Sequence, residues 1–507
     1  MSSEKTKHIA KNTAVLYFRM ILTMTVSLYT SRVILFTLGI EDFGIYNVIG
    51  SVVIMFGFLN SAMASSTQRF LILGLGVGNA LKLRQMFSIS LTMHFIISIL
   101  ILLLLETLGL WFINTQLTIP VERLTAANWV FQFSVLTTII TILSVPYNAI
   151  IIAHERMNVF ALISIFEVIL KLIVVFLLQL FGFDKLILYS ILLFFVSLII
   201  QIVYKTYCTR NFVESHYHFF WEQKLFTEMT SFAGWNLFGV FAGIGYNQGI
   251  NILLNIFYGP VVNAARGISF QVMGAVNQLV TNFQIAVNPT ITKSFAKKDD
   301  SMYNIVFASS KFSFYLLLLF IIPLLLELEL VLKIWLKTVP DYTVLFTRLV
   351  LIDILICSLS APLQILVQAT GKVRNYQIII SLILLLNLPI SYILLKIGYS
   401  PQSTFIVSII ISSLSLFARL MVLKYLIKFP VNAFLNEVVL TVLLVTIFII
   451  PLPMYIQYFF NQNIIQFLCV CGSTLISLFI TVWVVGLSVP ERLTIKVHVM
   501  KLIKRNF

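Results

Sequence analysis

Three stretches of this chain place arginine, amide and hydroxyl side chains at helical spacing within otherwise apolar sequence. The first carries Arg19, Thr23, Ser27 and Thr30, the second Asn236, Gly243, Asn247, Asn251, Asn255 and Tyr258, and the third Arg266, Asn277, Thr281, Gln284 and Asn288. At about 100° per residue, each set falls on one side of a helix. Such polar stripes, two of them carrying a cation, predict a hydrated path that suits an anionic ligand.

Helix packing is the alternative explanation for the same residues. Asn, Gln, Ser and Thr bridge packed membrane helices at about 0.6 kcal/mol for each hydrogen bond. A single Asn is better explained in this way. Three aligned stripes favour a hydrated cavity, because they lie in helices that match one another in an internal repeat of the chain.

The arginines within apolar sequence add to this prediction. Burying an arginine in a bilayer costs at least about 2.5–3.5 kcal/mol, so Arg19 and Arg266 should face water or an anion. Arg32 lies off the first stripe, near a predicted helix end, where snorkelling or structural pairing is an equal explanation. The predicted ligand-binding residues are Arg19, Arg32, Arg266, Arg348, Asn247, Asn251, Asn255, Asn277 and Gln284.

Carboxylates within apolar sequence have two predicted roles. Glu167 and Lys171 are four residues apart with the acid first, which favours a self-neutralising pair. Asp353 has no basic residue three or four positions away in its helix, which makes it the candidate for ion coupling. The four cysteines lack the spacing of a zinc site, so we predict neither a metal nor another cofactor.

These residues must be positioned by membrane-spanning helices. Hydrophobic residues form 60% of the 507-residue chain and charged residues only 10%, which excludes a soluble domain of this size. A helix needs about 20 residues to cross the hydrocarbon layer. We predict an all-α membrane protein with about fourteen spans, at 12–38, 45–73, 85–113, 124–152, 157–181, 185–207, 225–257, 262–291, 303–331, 342–369, 375–397, 402–427, 434–457 and 463–488.

The basic residues predict the orientation of the chain. Of the 34 Lys and Arg residues, 22 fall in the tails and the connections on one side, and five fall in those on the other. Lys and Arg accumulate in cytoplasmic loops, so both termini should be cytoplasmic in a bacterial inner membrane. The net charge of +15 then reflects orientation and attraction to anionic lipid, and does not indicate a nucleic-acid partner.

The chain also contains a weak internal repeat. A shift of about 220 residues aligns Leu38 and Gly39 with Tyr258 and Gly259, together with helices and loops of similar length. We predict two six-helix lobes, 1–220 and 221–430, in parallel orientation, and an addition at 431–507 made of two spans and a basic tail. A substrate path would run between the lobes, as in transporters built from repeats.

Two longer segments resemble a known family. Residues 29–47 (YTSRVILFTLGIEDFGIYN) with 66–70 (STQRF), and 247–255 (NQGINILLN) with 259–266 (GPVVNAAR), resemble bacterial polysaccharide-biosynthesis flippases of the Wzx type. These are exporters of lipid-linked oligosaccharides for O-antigen, capsule or related glycans. Their superfamily also holds multidrug extruders and the peptidoglycan-precursor flippase. Many relatives carry an acid in the seventh span, where this chain has Asn247 and Gln248.

The resemblance implies a function and its partners. Two lobes would enclose a cavity lined by the first, second, seventh and eighth spans and would alternate access to it. The cargo would be undecaprenyl-diphosphate-linked oligosaccharide, delivered to glycan polymerase or export machinery, with membrane lipid around a monomer. No bond is made or broken in such transport, so the resemblance predicts a transporter and not an enzyme.

Three other functions stay open from the sequence. A multidrug cation antiporter of the same superfamily would require a carboxylate-lined cavity, whereas the predicted path is basic. A peptidoglycan-precursor flippase would share the fold and the anionic cargo. A membrane glycan polymerase would require an outer loop longer than the connections of about ten residues found here.

Overall fold

The computed structural model describes the backbone of residues 3–77, 80–154, 156–296, 301–459, 464–488 and 491–492. Side chains are described from Met20 onward within these ranges, except at positions 62, 65, 73, 76, 77, 232, 233, 235, 236, 238, 285, 286, 289, 293, 296, 301 and 373. The predictions for the side chains of Arg19 and Asn236, and for the basic tail beyond residue 492, therefore lie outside the described residues.

The chain is about 90% helical, and the described residues contain no strand, which confirms the predicted all-α class. The α-helices are α1 Ser3–Phe56, α2 Phe58–Val77, α3 Ala80–Leu104, α4 Leu110–Thr115, α5 Leu124–Ala153, α6 Met157–Leu180, α7 Lys185–Asn211, α8 Gln223–Ile244, α9 Ile250–Tyr258, α10 Pro260–Ala296, α11 Ser301–Leu336, α12 Thr343–Ala369, α13 Val373–Leu385, α14 Asn387–Lys396, α15 Ser403–Ile427, α16 Val431–Phe434, α17 Thr441–Ile449, α18 Pro451–Phe459 and α19 Ile464–Thr481. Short π-helical turns occupy Leu105–Gly109, Gly245–Gly249, Leu435–Leu440 and Val482–Gly486.

The helices make a multi-pass membrane protein. Eleven helices within the described ranges are long and apolar enough to cross a membrane. The first of these, Met20–Phe56, includes residues 20–38 of the first predicted span and the start of the second. Neither α8–α9 nor α10, the seventh and eighth predicted spans, is among the eleven. Both contain many amide and hydroxyl side chains, which lower their hydropathy.

Two glycines form matching corners between helices. Gly39 interrupts α1 with φ 81° and ψ 170°, and Gly259 separates α9 from α10 with φ 77° and ψ −174°. This backbone region is essentially restricted to glycine. The structure thus repeats one corner at the separation that the sequence repeat predicts.

Packing divides the chain into two compact units. Unit 1 contains Met1–Gly267 and Leu385–Thr404, and unit 2 contains Ile268–Leu384 and Phe405–Phe507. Unit 1 has a buried apolar core around Ile49 and Phe131, and unit 2 has one around Phe307 and Phe434. The predicted lobes were defined by sequence repetition and these units by packing, so the lobe boundaries stay a prediction.

Within unit 1, the helix after the first corner packs tightly against the start of α10. A Cβ atom on Gly44 would overlap the carbonyl group of Pro260, and one on Gly267 would lie 2.8 Å from Asn47 Oδ1. The two helices therefore meet through positions without side chains. This close approach brings the polar residues of both helices into contact with α9.

Candidate functional site

Three asparagines of α9 and α10 form a hydrogen-bonded group, which we call the asparagine cluster: Asn251, Asn255 and Asn263. Asn263 Nδ2 donates to the Oδ1 atom of Asn251 at 2.9 Å and to its backbone oxygen at 2.6 Å. Asn255 Nδ2 donates to Asn263 Oδ1 at 3.0 Å. All three residues are buried, and the exposed fraction of both Asn255 and Asn263 is 0%.

The asparagine cluster is also bonded to neighbouring elements of unit 1. Asn251 Nδ2 donates to Ser51 Oγ at 2.6 Å, and the backbone amide of Thr118 donates to Asn255 Oδ1 at 2.9 Å. The amides of Asn251 and Asn255 are thus engaged with protein groups on several sides. In this structure they hold helices together, as the packing alternative describes, and do not line an open path.

Arg266 follows the asparagine cluster on α10 and differs from it in charge. Its exposed fraction is 6%, and its Nη2 atom donates a 2.7 Å hydrogen bond to the backbone oxygen of Asn247. The structure therefore brings together two of the predicted ligand-binding residues. The Asn247 amide is half-buried and donates to the Gly243 oxygen at 3.2 Å.

The π-helical turn Gly245–Gly249 positions Asn247 for this contact. A π turn is rare and often occurs at functional sites. The glycines at its ends allow it to approach α14, because a Cβ atom on Gly249 would overlap the side chain of Leu388. Arg266 is thus held against a tightly packed segment whose backbone carbonyl faces the guanidinium group.

The other predicted cation in unit 1 with a described side chain is Arg32. It is half-buried in α1, and no described carboxylate lies within 4.0 Å of its guanidinium group. On the same helix, the Thr23 hydroxyl donates to the Met20 oxygen at 3.0 Å, and the Thr30 hydroxyl donates to the Val26 oxygen. Two hydroxyl groups of the first polar stripe therefore form hydrogen bonds with backbone oxygens of their own helix.

The remaining predicted residues lie in unit 2. Asn277 is exposed, and Gln284 is half-buried and donates to Ser313 Oγ at 3.4 Å. Arg348 lies 3.9 Å from Glu329, with both side chains substantially exposed, which is a weak ion pair. Asp353 is half-buried. The structure does not bring these residues into one contact group.

Several charged residues form ion pairs inside the units. Lys171 Nζ donates to Glu167 Oε1 at 2.6 Å, which confirms the predicted self-neutralising pair. Lys311, whose side chain is 4% exposed, pairs with Glu491 at 2.7 Å. No group of three or more His, Cys, Asp or Glu side chains in the described ranges is arranged to hold a metal ion.

Sequence reasoning did not identify the residues that complete the asparagine cluster. Asn263 lies three positions before Arg266, so helical spacing places it near the third stripe, and this is the signal that could have revealed it. Ser51 and Thr118 belong to distant segments. Their role depends on tertiary contacts that periodicity within one helix does not report.

Comparison with solved structures identifies the fold. Over 93% of this chain and 98% of the other, the structure is similar to the lipid II flippase MurJ in its inward closed conformation, with a TM-score of 0.66 and 14% identity. It is also similar to an inward-facing multidrug resistance MATE family transporter, over 82% of this chain and 99% of the other, with a TM-score of 0.67 and 10% identity. The chain has the fold of MOP superfamily transporters.

A third similar structure is a MOP superfamily transporter from Pyrococcus furiosus, described as having a binding pocket of reverse polarity. It matches over 84% of this chain and 96% of the other, with a TM-score of 0.61 and 12% identity. No family model matches the chain, and no curated protein does. The first two structures are described with different substrates, lipid II for one and multiple drugs for the other, so the shared fold does not specify a ligand for this chain.

Proposed function

We propose that this protein is a flippase that moves an undecaprenyl-diphosphate-linked oligosaccharide from the cytoplasmic to the periplasmic leaflet, by alternating access, for surface polysaccharide biosynthesis. The observation that carries the proposal is the buried guanidinium group of Arg266, held by the Asn247 carbonyl at 2.7 Å within an apolar bundle. A buried arginine is costly in a membrane, and charged residues inside a membrane bundle characteristically mark the path of a substrate or ion.

Two further observations support an anionic, lipid-linked cargo. Arg32 has no described carboxylate within 4.0 Å, whereas Lys171 and Lys311 are each paired with an acid. Among the predicted ligand-binding residues the cations are arginines, which suit the phosphate groups of a lipid diphosphate because the guanidinium can bond them in a bidentate manner. MurJ, whose fold this chain shares, is a lipid II flippase.

In the proposed cycle, Arg19 receives the diphosphate from the cytoplasmic side and passes it towards Arg266 and Arg348. The sugars would pass between the predicted lobes once a path opens there during alternating access, and the lipid chain stays in the bilayer. The membrane potential contributes about 2.3 kcal/mol per charge for each 100 mV and favours export of an anion to a positive exterior. Asp353 is the candidate for any ion coupling.

Replacement of Arg266 tests the proposal directly. In cells that depend on a plasmid copy of this protein, Arg266→Gln keeps a hydrogen-bond donor near Asn247 but removes the charge. We expect surface polysaccharide to fall by at least about tenfold, because a charge-assisted hydrogen bond contributes about 1.5–3 kcal/mol. Arg266→Lys should retain part of the export. Polysaccharide is measured on whole cells, and protein is measured in the membrane fraction.

A matched control separates transport from folding. The double variant Glu167→Gln, Lys171→Gln removes a paired charge from α6 and should export normally. Normal surface polysaccharide in Arg266→Gln, with normal protein levels, would contradict the proposed role. Lysis on depletion of the protein would instead indicate peptidoglycan-precursor cargo.

Similarity to MATE transporters supports cation efflux as a second candidate. Uptake or efflux of a fluorescent cationic dye by vesicles containing the purified protein distinguishes the two. We expect no dye movement above that of empty vesicles. Dye transport that is insensitive to Arg266→Gln would favour the multidrug function.

A further inference from the structure

A cavity of about 380 Å³ lies within unit 1 among α3, α5, α7 and the connection that follows α7. Its walls include Thr92, Phe95, Tyr147, Gln201, Lys205 and Tyr217. None of these residues belongs to the asparagine cluster. The cavity therefore requires an explanation separate from the proposed transport path.

The cavity combines a cation with hydroxyl groups at one side of an apolar wall. Lys205 is exposed, and no described carboxylate lies within 4.0 Å of its ammonium group. The hydroxyls of Thr92 and Tyr217 lie 3.2 Å apart. Gln201, one helical turn before Lys205, accepts a hydrogen bond from Ser144. A ligand with an anionic head and apolar body would satisfy this arrangement.

The connection that supplies Tyr217 is fixed in place by hydrogen bonds on both sides of it. Arg84 Nε donates to the His216 oxygen at 3.1 Å, and the backbone amide of His218 donates to Ser88 Oγ at 3.2 Å. Glu214, earlier in the same connection, pairs with His154. The segment that forms this wall of the cavity is therefore fixed before a ligand binds. Binding then requires little loss of conformational freedom in this segment.

The cavity opens on the outer surface of the helices. Phe95 is 54% exposed and Tyr217 is 49% exposed, and Phe95 belongs to the candidate membrane span Ala80–Thr115, so it offers an apolar surface to lipid tails. A lipid tail can reach the cavity from this side. The positive-inside pattern predicts that this end of unit 1, with Lys82, Arg84 and Arg210, is cytoplasmic. The cytoplasmic leaflet is the one rich in anionic lipid.

We propose that this cavity binds an anionic phospholipid of the cytoplasmic leaflet. The phosphate group pairs with Lys205 and accepts a hydrogen bond from the Tyr217 hydroxyl, while the Thr92 hydroxyl donates to the Ser88 oxygen at 3.0 Å. The acyl chain lies against Phe95. The site is independent of the cargo that the transporter carries, and its occupant is a structural lipid of the surrounding bilayer.

Lipid binding to the purified full-length protein tests this proposal. Delipidated protein in neutral detergent is titrated with phosphatidylglycerol, and bound lipid is counted by native mass spectrometry. We expect Lys205→Gln to weaken binding about fivefold, equivalent to about 1 kcal/mol for one lysine at the membrane surface. Lys205→Arg should restore binding. Lys185→Gln, at the other end of the same helix, is the matched control and should bind as the unaltered protein does.

Additional ligands define the chemistry of the site. Phosphatidylcholine, whose phosphate charge is balanced by its choline group, should bind more weakly than phosphatidylglycerol in the unaltered protein and should lose less affinity on Lys205→Gln. Tyr217→Phe, which removes only the hydroxyl group, should also weaken binding of phosphatidylglycerol. Equal affinity of Lys205→Gln and the unaltered protein for phosphatidylglycerol would overturn the proposal. Competition by millimolar inorganic phosphate alone would also overturn it, because the occupant would then be a soluble anion.

Discussion

Gly44 shows how much a single residue determines in this fold. A Cβ atom at this position would overlap the backbone carbonyl of Pro260, which cannot rotate away as a side chain can. The contact brings two helices of unit 1 together beside the asparagine cluster. Gly50 lies on the same helix, and a Cβ atom added there would meet nothing within 4 Å. The two glycines therefore provide a controlled comparison.

We expect Gly44→Ala to lower the stability of the protein by about 1–3 kcal/mol, because an inserted methyl group in a packed contact forces the backbone to shift. Gly50→Ala should leave stability unchanged or raise it by up to about 1 kcal/mol, since alanine favours helix more than glycine does. The measurement is the thermal midpoint of the purified protein in detergent. Equal midpoints for the two variants would contradict the close approach of these helices.

An ion pair connects the segment after the last span with helix α11. Lys311 is buried in α11, and its Nζ atom donates to Glu491 Oε2 at 2.7 Å. Nearby, the Tyr315 hydroxyl donates to the Gly486 oxygen at 3.1 Å. Burial raises the pKa of Glu491, but hydrogen bonds from Lys311 and the Ser488 amide outweigh burial and hold the pKa below its ordinary value of 4.5.

This ion pair predicts a pH dependence of stability. A carboxyl group with a depressed pKa in the folded state contributes stability above its unfolded pKa, and this contribution is lost as the pH falls through the folded value. We expect Glu491→Gln to lower stability by about 1.5–3 kcal/mol at pH 7, and this difference should shrink below pH 4.5. Thermal midpoints between pH 3.5 and 7 provide the measurement.

Glu437→Gln is the control for this experiment, since Glu437 is an exposed glutamate in the same unit. It should behave as the unaltered protein does at every pH. If Glu491→Gln has the same pH profile as Glu437→Gln, the ion pair makes no contribution to stability.

The amino-acid composition of the whole chain was sufficient to predict membrane-spanning helices. Runs of Leu, Ile, Val and Phe determine where spans lie, because the backbone must satisfy its own hydrogen bonds in lipid. The pairing of Glu167 with Lys171 was equally predictable, since both residues are on one helix. By contrast, the roles of Asn251 and Asn255 depend on Ser51, Thr118 and the fold around them, which helical periodicity does not contain.

The predicted orientation leads to a test on intact cells. Asn211 is an exposed residue in a connection predicted to be cytoplasmic, and Asp341 is exposed in one predicted to be outside. In a background with the four native cysteines replaced, we expect a membrane-impermeant maleimide to label Asp341→Cys and not Asn211→Cys. Both sites should be labelled after the cells are opened. The reverse labelling pattern on intact cells would show that the chain has the opposite orientation in the membrane.

The corners at Gly39 and Gly259 have a mechanical consequence. At each corner a single glycine joins two helices, so the junction has no additional residues that would let one helix slide along its neighbour. The two helices that meet at a corner can change the angle between their axes. A rearrangement at either corner therefore tilts one arm against the other.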